Sequence, residues 1–147
     1  LTWALLEKGD PGLAAAGYGR LHGRVSYLAT VSQDGAPRVH PVTPIIGEGR
    51  LLLFMEPTSP KGRDLRRGSA FALHCGVEDT GGGEGEFFVI GHGRPVEDAA
   101  TRALAMKLAP YTPADRSVLF ELEVESVIAT TYASSGPARR RWNARRS

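Results

Sequence analysis

An alternating stretch closed by a tight-turn dipeptide, and then a second extended stretch studded with prolines, limits what this chain can fold into more than any other feature. Val25, Tyr27, Ala29 and Val31 fall on one face of an extended segment and Ser26, Leu28, Thr30 and Ser32 on the other, the period of a half-buried strand. Asp34-Gly35 follows, a pair that favours the tight loop of a β-hairpin. Pro37 to Ile46 then resumes an extended pattern. Pro37, Pro41 and Pro44 have no N–H to give to a ladder, so the second strand is expected at a sheet edge or interrupted by a bulge.

The rest of the chain continues in hairpin order. Gly47-Glu48-Gly49 marks a turn into Leu51 to Met55, an apolar run that reads as a buried strand. Thr58 or Ser59 offers an N-cap hydroxyl, Pro60 suits a first helical position, and Gly68 ends a helix of about two turns. Ala70 to Val77 reads as a fourth strand, residues 80–85 (TGGGEG) as a flexible connection, and Glu86 to Val96 as a fifth strand. Gly91 and Gly93 in that strand permit a sharp bend or the close approach of another backbone. Asp98 can cap a helix through Leu108, and Val118 to Tyr132 alternates as a long sixth strand, Leu119 apart. Pro11 to Leu21 is a weak helix. A doubly wound parallel sheet would need a helix between most strand pairs. The expectation is therefore a mainly β fold, a small six-stranded antiparallel barrel with two or three short helices. It forms one domain over residues 1–147, with a helical N-terminal segment (1–22) and a basic C-terminal tail (138–147).

Composition narrows the function classes. No run approaches the 18 or more apolar residues of a membrane span and no stretch has signal-peptide layout, so the expectation is a cytoplasmic protein without a membrane partner. Cys75 is the only cysteine, which excludes an internal disulfide and a thiolate zinc cage. The four histidines have no paired metal spacing, and no Gly-x-Ser-x-Gly elbow occurs. Residues 139–147 (RRRWNARRS) hold five of the 18 basic side chains and no acid, so the body of the protein is mildly acidic. The tail reads as a solvated, partly disordered end, or as a segment that folds with Trp142 onto a ligand or partner subunit. Nucleic-acid binding through it lacks support, since no basic helix or aromatic platform accompanies it.

The charge pattern points elsewhere. Lys61 and Arg63 stand in the first turn of the short helix, where the dipole disfavours cations by roughly 0.3 to 1 kcal/mol each. A bound anion would reverse that penalty. Arg38, His40 and Val42 share one face of the second strand, with Val39, Pro41 and Thr43 on the other. If that first face joins Lys61 and Arg63, four potential cations surround one site, more than a core buries unpaired. The competing reading is that Asp64 balances a solvated surface helix.

Together these segments resemble the pyridoxamine 5'-phosphate oxidase-like, FMN-binding split β-barrel family. The resemblance is carried by Tyr27-Leu28-Ala29-Thr30-Val31 with Asp34-Gly35, by Pro37-Arg38-Val39-His40-Pro41-Val42 and by Leu51-Leu52-Leu53-Phe54-Met55. Ser59-Pro60-Lys61-Gly62-Arg63-Asp64-Leu65-Arg66-Arg67 and Gly91 to Val96 complete it, over about residues 25–97. It implies a Greek-key-like split barrel that binds a flavin in a groove between the subunits of a homodimer. Arg38, Val39, His40, Pro41 and Val42 would line the isoalloxazine edge, and Phe54 and Met55 would flank it. Thr58 or Ser59, Lys61 and Arg63 would hold the phosphate, and Trp142 with its arginines loosely matches a substrate-binding tail. Relatives often place a basic residue where this chain has Pro60. The implied activity is hydride transfer between FMN, or the deazaflavin coenzyme F-420, and a small-molecule substrate. A non-catalytic flavin or phosphorylated-ligand binding module is the alternative. Some relatives bind haem, but no histidine here is placed as an axial ligand would be.

Overall fold

The computed structural model describes residues 2–146; Leu1 and Ser147, the outer ends of the expected helical segment and basic tail, lie outside the described residues. Two helices form at the start where one was expected. Trp3 and Leu6, three residues apart, give helix α1 (Thr2–Gly9) its buried side. Asp10 then accepts from the Leu13 N–H at 3.0 Å and caps α2 (Pro11–Leu21), with Pro11 in its first turn.

The expected hairpin is β1 (Ser26–Val31) against β2 (Pro37–Val42), closed at Gly35 with φ +83°. Pro44 interrupts the second extended stretch, so β3 (Ile45–Gly47) is a separate strand. β4 (Arg50–Met55), α3 (Pro60–Arg66), β5 (Ala70–Cys75), β6 (Glu86–Pro95), α4 (Ala99–Leu108), β7 (Val118–Ala133) and β8 (Gly136–Asn143) follow, and a 3-10 turn (Ala144–Arg146) ends the described chain. The mainly β, antiparallel class holds, with eight strands among the described residues in place of six.

The strands run in the order β2-β1-β5-β6-β7-β4-β3, each pair antiparallel, with β8 added to β7. The two ends of that path, β2 and β3, are separated in sequence by Thr43 and Pro44 alone. The sheet therefore curls until its ends meet, and the barrel is split at that seam. Pro44 cannot donate there; its carbonyl accepts from the Gly23 N–H at 2.9 Å. The long β7 serves two partners opposite β6, pairing with β4 through residues 118–121 and with β8 through residues 126–133.

That second pairing corrects the reading of the tail as a disordered end. Val127 pairs with Trp142 and Ala129 with Arg140, Trp142 is buried in the core, and Arg140 meets the Asp10 carboxylate at 2.5 Å. An unpaired half of β7 would expose a row of backbone groups, and burying an indole adds to the gain from pairing.

Two apolar clusters fill the fold. Leu51, Leu53 and Met55 of β4 point into the main barrel core, while Leu52 and Phe54 point to a smaller cluster beneath α4 with Ile45, Val96, Ala105 and Leu119. β4 is thus covered on both faces, which is why it reads as a continuous apolar run. The opposite side of the sheet is less covered. Register aligns Pro41, Tyr27, His74, Phe88, Ile128 and Arg141 in one row across six strands. Tyr27, Val31 and Val39 on this outer face are exposed. No helix among the described residues is long and apolar enough to cross a membrane.

Candidate functional site

The short helix α3 is pinned at both ends. Pro60 occupies its first turn, and at its end the Gly68 N–H reaches the Leu65 carbonyl while the Ser69 N–H reaches that of Asp64, with Gly68 at φ +94°. This is a Schellman stop, and it explains why the glycine follows the helix. Leu65 and Gly62 are buried, and a Cβ on Gly62 would lie 3.0 Å from Met55 Sδ, so the helix sits tightly over the barrel mouth.

Asp64 does not balance a solvated surface helix. Its side chain is 0% exposed. Thr30 Oγ1 donates to Oδ2 at 2.8 Å, Arg38 Nε donates to the same oxygen at 2.9 Å, and Arg67 donates to Oδ1. Burial alone would raise the carboxyl's pKa, but the bonds from Thr30, Arg67 and Arg38 outweigh it and hold it below the ordinary range. A depressed carboxylate contributes stability that is present above its unfolded pKa and lost as pH falls through its folded one. Asp64→Asn is therefore expected to melt lower than the parent at pH 7 and to converge on it as the pH falls below the ordinary aspartate range. Melting curves that stay parallel from neutral to acid pH would contradict this.

With Asp64 engaged, the helix cations have no acid. Among the described residues, neither Lys61 nor Arg63 has a carboxylate within ion-pair distance. Lys61 is half-buried and donates to Ser59 Oγ at 3.0 Å. Desolvation lowers its pKa, with Glu56 opposing. Ser59 holds the N-cap position, yet its hydroxyl makes no cap bond and serves Lys61 instead. Arg63 and Thr58 are exposed.

Strand β2 brings its inner face to the same place. His40 Nε2 is buried without a hydrogen-bond partner. Desolvation, then the Lys61 and Arg38 charges, lower the imidazole's pKa, Asp64 opposing, so His40 is neutral at pH 7. Arg38, His40, Lys61 and Asp64 thus lie within electrostatic reach of one another, and Val42 is buried beside them on the same strand face. Val39 and Pro41 are exposed on the outer face.

Two other candidates lie apart. Met55 packs beneath Gly62 in the main core, whereas Phe54 turns to the cluster under α4, where the Arg102 guanidinium stands 5.3 Å over its ring. Trp142 packs against Gly9 at the end of α1, its Nε1 without a partner and 2.7 Å from where a Gly9 Cβ would sit. Thr30, Asp64 and Arg67 are the members that the sequence alone did not single out. The signal available was Asp64 three residues before Arg67, an ion-pair spacing on a helix.

Of the other histidines, His74 has both ring nitrogens engaged, and His22 and His92 use Nδ1. His22 Nδ1 accepts from the Ile46 N–H at 2.9 Å, both nitrogens of His74 meet oxygens, of Cys75 at 2.7 Å and Glu86 at 2.9 Å, and His92 Nδ1 meets Glu125 at 2.7 Å. No group of three or more metal-ligating side chains forms among the described residues.

No protein-family model matches the chain, and no curated protein matches it in sequence. Solved structures do match it. A pyridoxamine 5'-phosphate oxidase-related, FMN binding protein from Nostoc punctiforme superposes with a TM-score of 0.68 at 13% identity, over 94% of this chain and 90% of that one. A NimC/NimA family protein from Clostridium acetobutylicum gives 0.66 at 16%, over 97% and 95%. A heme binding protein from Mycobacterium smegmatis gives 0.68 at 19%, over 89% of this chain and 58% of that one, so this chain spans little more than half its length. Identities this low speak for the fold alone.

Proposed function

We propose that this chain, which has the fold of the pyridoxamine 5'-phosphate oxidase-like split β-barrels, is a flavin-binding oxidoreductase that uses FMN or the deazaflavin coenzyme F-420. The observation that carries this reading is Lys61, with no acid within ion-pair distance among the described residues, within electrostatic reach of His40, whose buried Nε2 has no partner and which Arg38 also adjoins; Arg63, on the same short helix, has no ion pair there either. Ser59, Lys61 and Arg63 would hold the phosphate by charge-assisted hydrogen bonds, and Arg38 to Val42 would line the ring edge. The flavin supplies the hydride chemistry when bound. The chain's own part is to bind, to orient, and to place the Arg38 guanidinium where it steadies negative charge. Haem fits these residues less well, since His40 is the one histidine among them and its free nitrogen is buried.

The exposed row on the outer face supports a homodimer with the cofactor between subunits. Contiguous apolar surface carried by Tyr27, Val31 and Val39 is the kind that a second copy covers. Binding without catalysis is the second reading, favoured by one observation: the one carboxylate buried at the site, Asp64, is fully engaged and offers no free acid or base.

The test is the absorption spectrum and mass of the small molecule released when the native protein is denatured. FMN or a deazaflavin is expected. A protein that releases neither, and takes up neither when they are added, overturns the proposal. Oxidation of NADPH or of reduced deazaflavin above a no-protein control would remove the non-catalytic reading.

A further inference from the structure

We infer that Asp64 is a positioning residue for Arg38: its buried carboxylate fixes that guanidinium through Nε beside His40. This rests on the flavin-site reading and adds to it a residue that touches no ligand. The geometry is a fork held from behind. Nε of Arg38 is tied to Oδ2, while its two terminal nitrogens have no hydrogen-bond partner among the described residues and the side chain is 38% exposed. Those nitrogens are the ones a ligand can reach.

The carboxylate cannot swing, because Thr30 on β1 holds the same oxygen and Arg67 at the end of α3 holds the other. An arginine loses rotamer freedom when ordered; here that ordering is done before a ligand arrives. The charge argument is separate. Asp64 stands against the guanidiniums of Arg38 and Arg67, so the one carboxylate offsets only part of their charge, and Arg38 acts as an aimed donor that stays cationic.

An ordinary structural ion pair makes the opposite prediction for ligand affinity. Asp64→Asn removes a negative charge beside an anion site, and through space alone it should tighten anion binding. A lost orientation of Arg38 should weaken it. FMN titrations followed by flavin fluorescence, at a temperature well below the melting point, separate the two. About tenfold weaker binding is expected for Asp64→Asn, about tenfold for Arg38→Lys, and no more than about tenfold for the double variant, because both remove one coupled contact. FMN bound as tightly as by the parent, or losses that multiply to about a hundredfold, would overturn the inference.

If Asp64→Asn does not fold, Arg38→Lys carries the test, since it keeps the charge and loses the Nε contact; parental FMN affinity in that variant overturns the inference too. Inorganic phosphate is the second probe. A parent protein that binds phosphate but not FMN removes the flavin reading and, because Arg38 is assigned to the ring edge, the inference that rests on it. A parent that binds neither overturns both.

Discussion

Replacing Lys61 and Arg63 together with alanine is expected to weaken FMN binding by more than about a hundredfold while leaving riboflavin binding within about twofold. Riboflavin lacks the phosphate, so the comparison isolates the group these side chains would hold. A hydrogen bond to a charged group contributes roughly 1.5 to 3 kcal/mol, and two lost together give at least about 3 kcal/mol, beyond a factor of a hundred. The same exchange should not harm the fold. Arg63 is exposed, Lys61 bonds to the Ser59 hydroxyl, and the nearby carboxylate of Glu56 keeps both of its bonds to Arg116. Lys61 stands in the first turn and its removal relieves a dipole penalty of roughly 0.3 to 1 kcal/mol, whereas Arg63, expected there too, falls in the last turn of the seven-residue helix and its removal gives up a gain of similar size, so the melting temperature should hold. Equal losses of FMN and riboflavin, or no loss of either, would remove these residues from the phosphate site.

The hairpin was legible in the sequence because its signals are local. Alternation from Val25, the Asp34-Gly35 turn and the three prolines all act within a few residues, and β2 does lie at an end of the sheet path with Pro44 breaking it from β3. Which face of β1 is inside was not legible. Ser26, Leu28 and Thr30 are buried while Tyr27 and Val31 are exposed, because Thr30 serves a carboxylate 34 residues away that no local pattern reveals. The tail misled for a similar reason. Three consecutive exposed arginines look solvated, and their strand forms because β7 has an unfilled edge. Ser135-Gly136, with Gly136 at φ +111°, was the turn signal that could have shown it. At the site, the approach of Lys61 to His40 and Arg38 was foreshadowed by the charge excess, whereas the partition of charge was not. Asp64 lies among the cations in sequence, and only its depth shows that it belongs to Arg38 and Arg67.

Gly91→Ala is expected to destabilise the protein by at least about 4 kcal/mol, lowering the melting temperature by roughly 10 °C or more. Between Ile90, which pairs with Ser126, and Gly91, which pairs with Val124, the ladder slips by one residue and leaves Glu125 as the extra residue of a bulge. The slip brings the neighbouring backbone inward. A Cβ on residue 91 would stand 1.7 Å from the Glu123 carbonyl oxygen and 3.2 Å from Phe71 Cε1. The nearer atom is backbone of a central strand, so relief requires parting β6 from β7 or undoing the bulge, and either breaks ladder bonds in the longest pairing of the sheet. Gly35→Ala is the comparison that separates this clash from the general cost of a methyl at a special glycine. Gly35 has φ +83° and nothing within 4 Å of where its methyl would sit, so it should lose about 1 kcal/mol through backbone strain alone. If the two variants melt within a few degrees of each other, close approach at Gly91 is not what the bulge depends on. If they differ as expected, the bulge also accounts for the placing of Glu125 against His92 on the outer face, since the displaced carboxylate reaches Nδ1 from the extra position that a regular ladder would not contain.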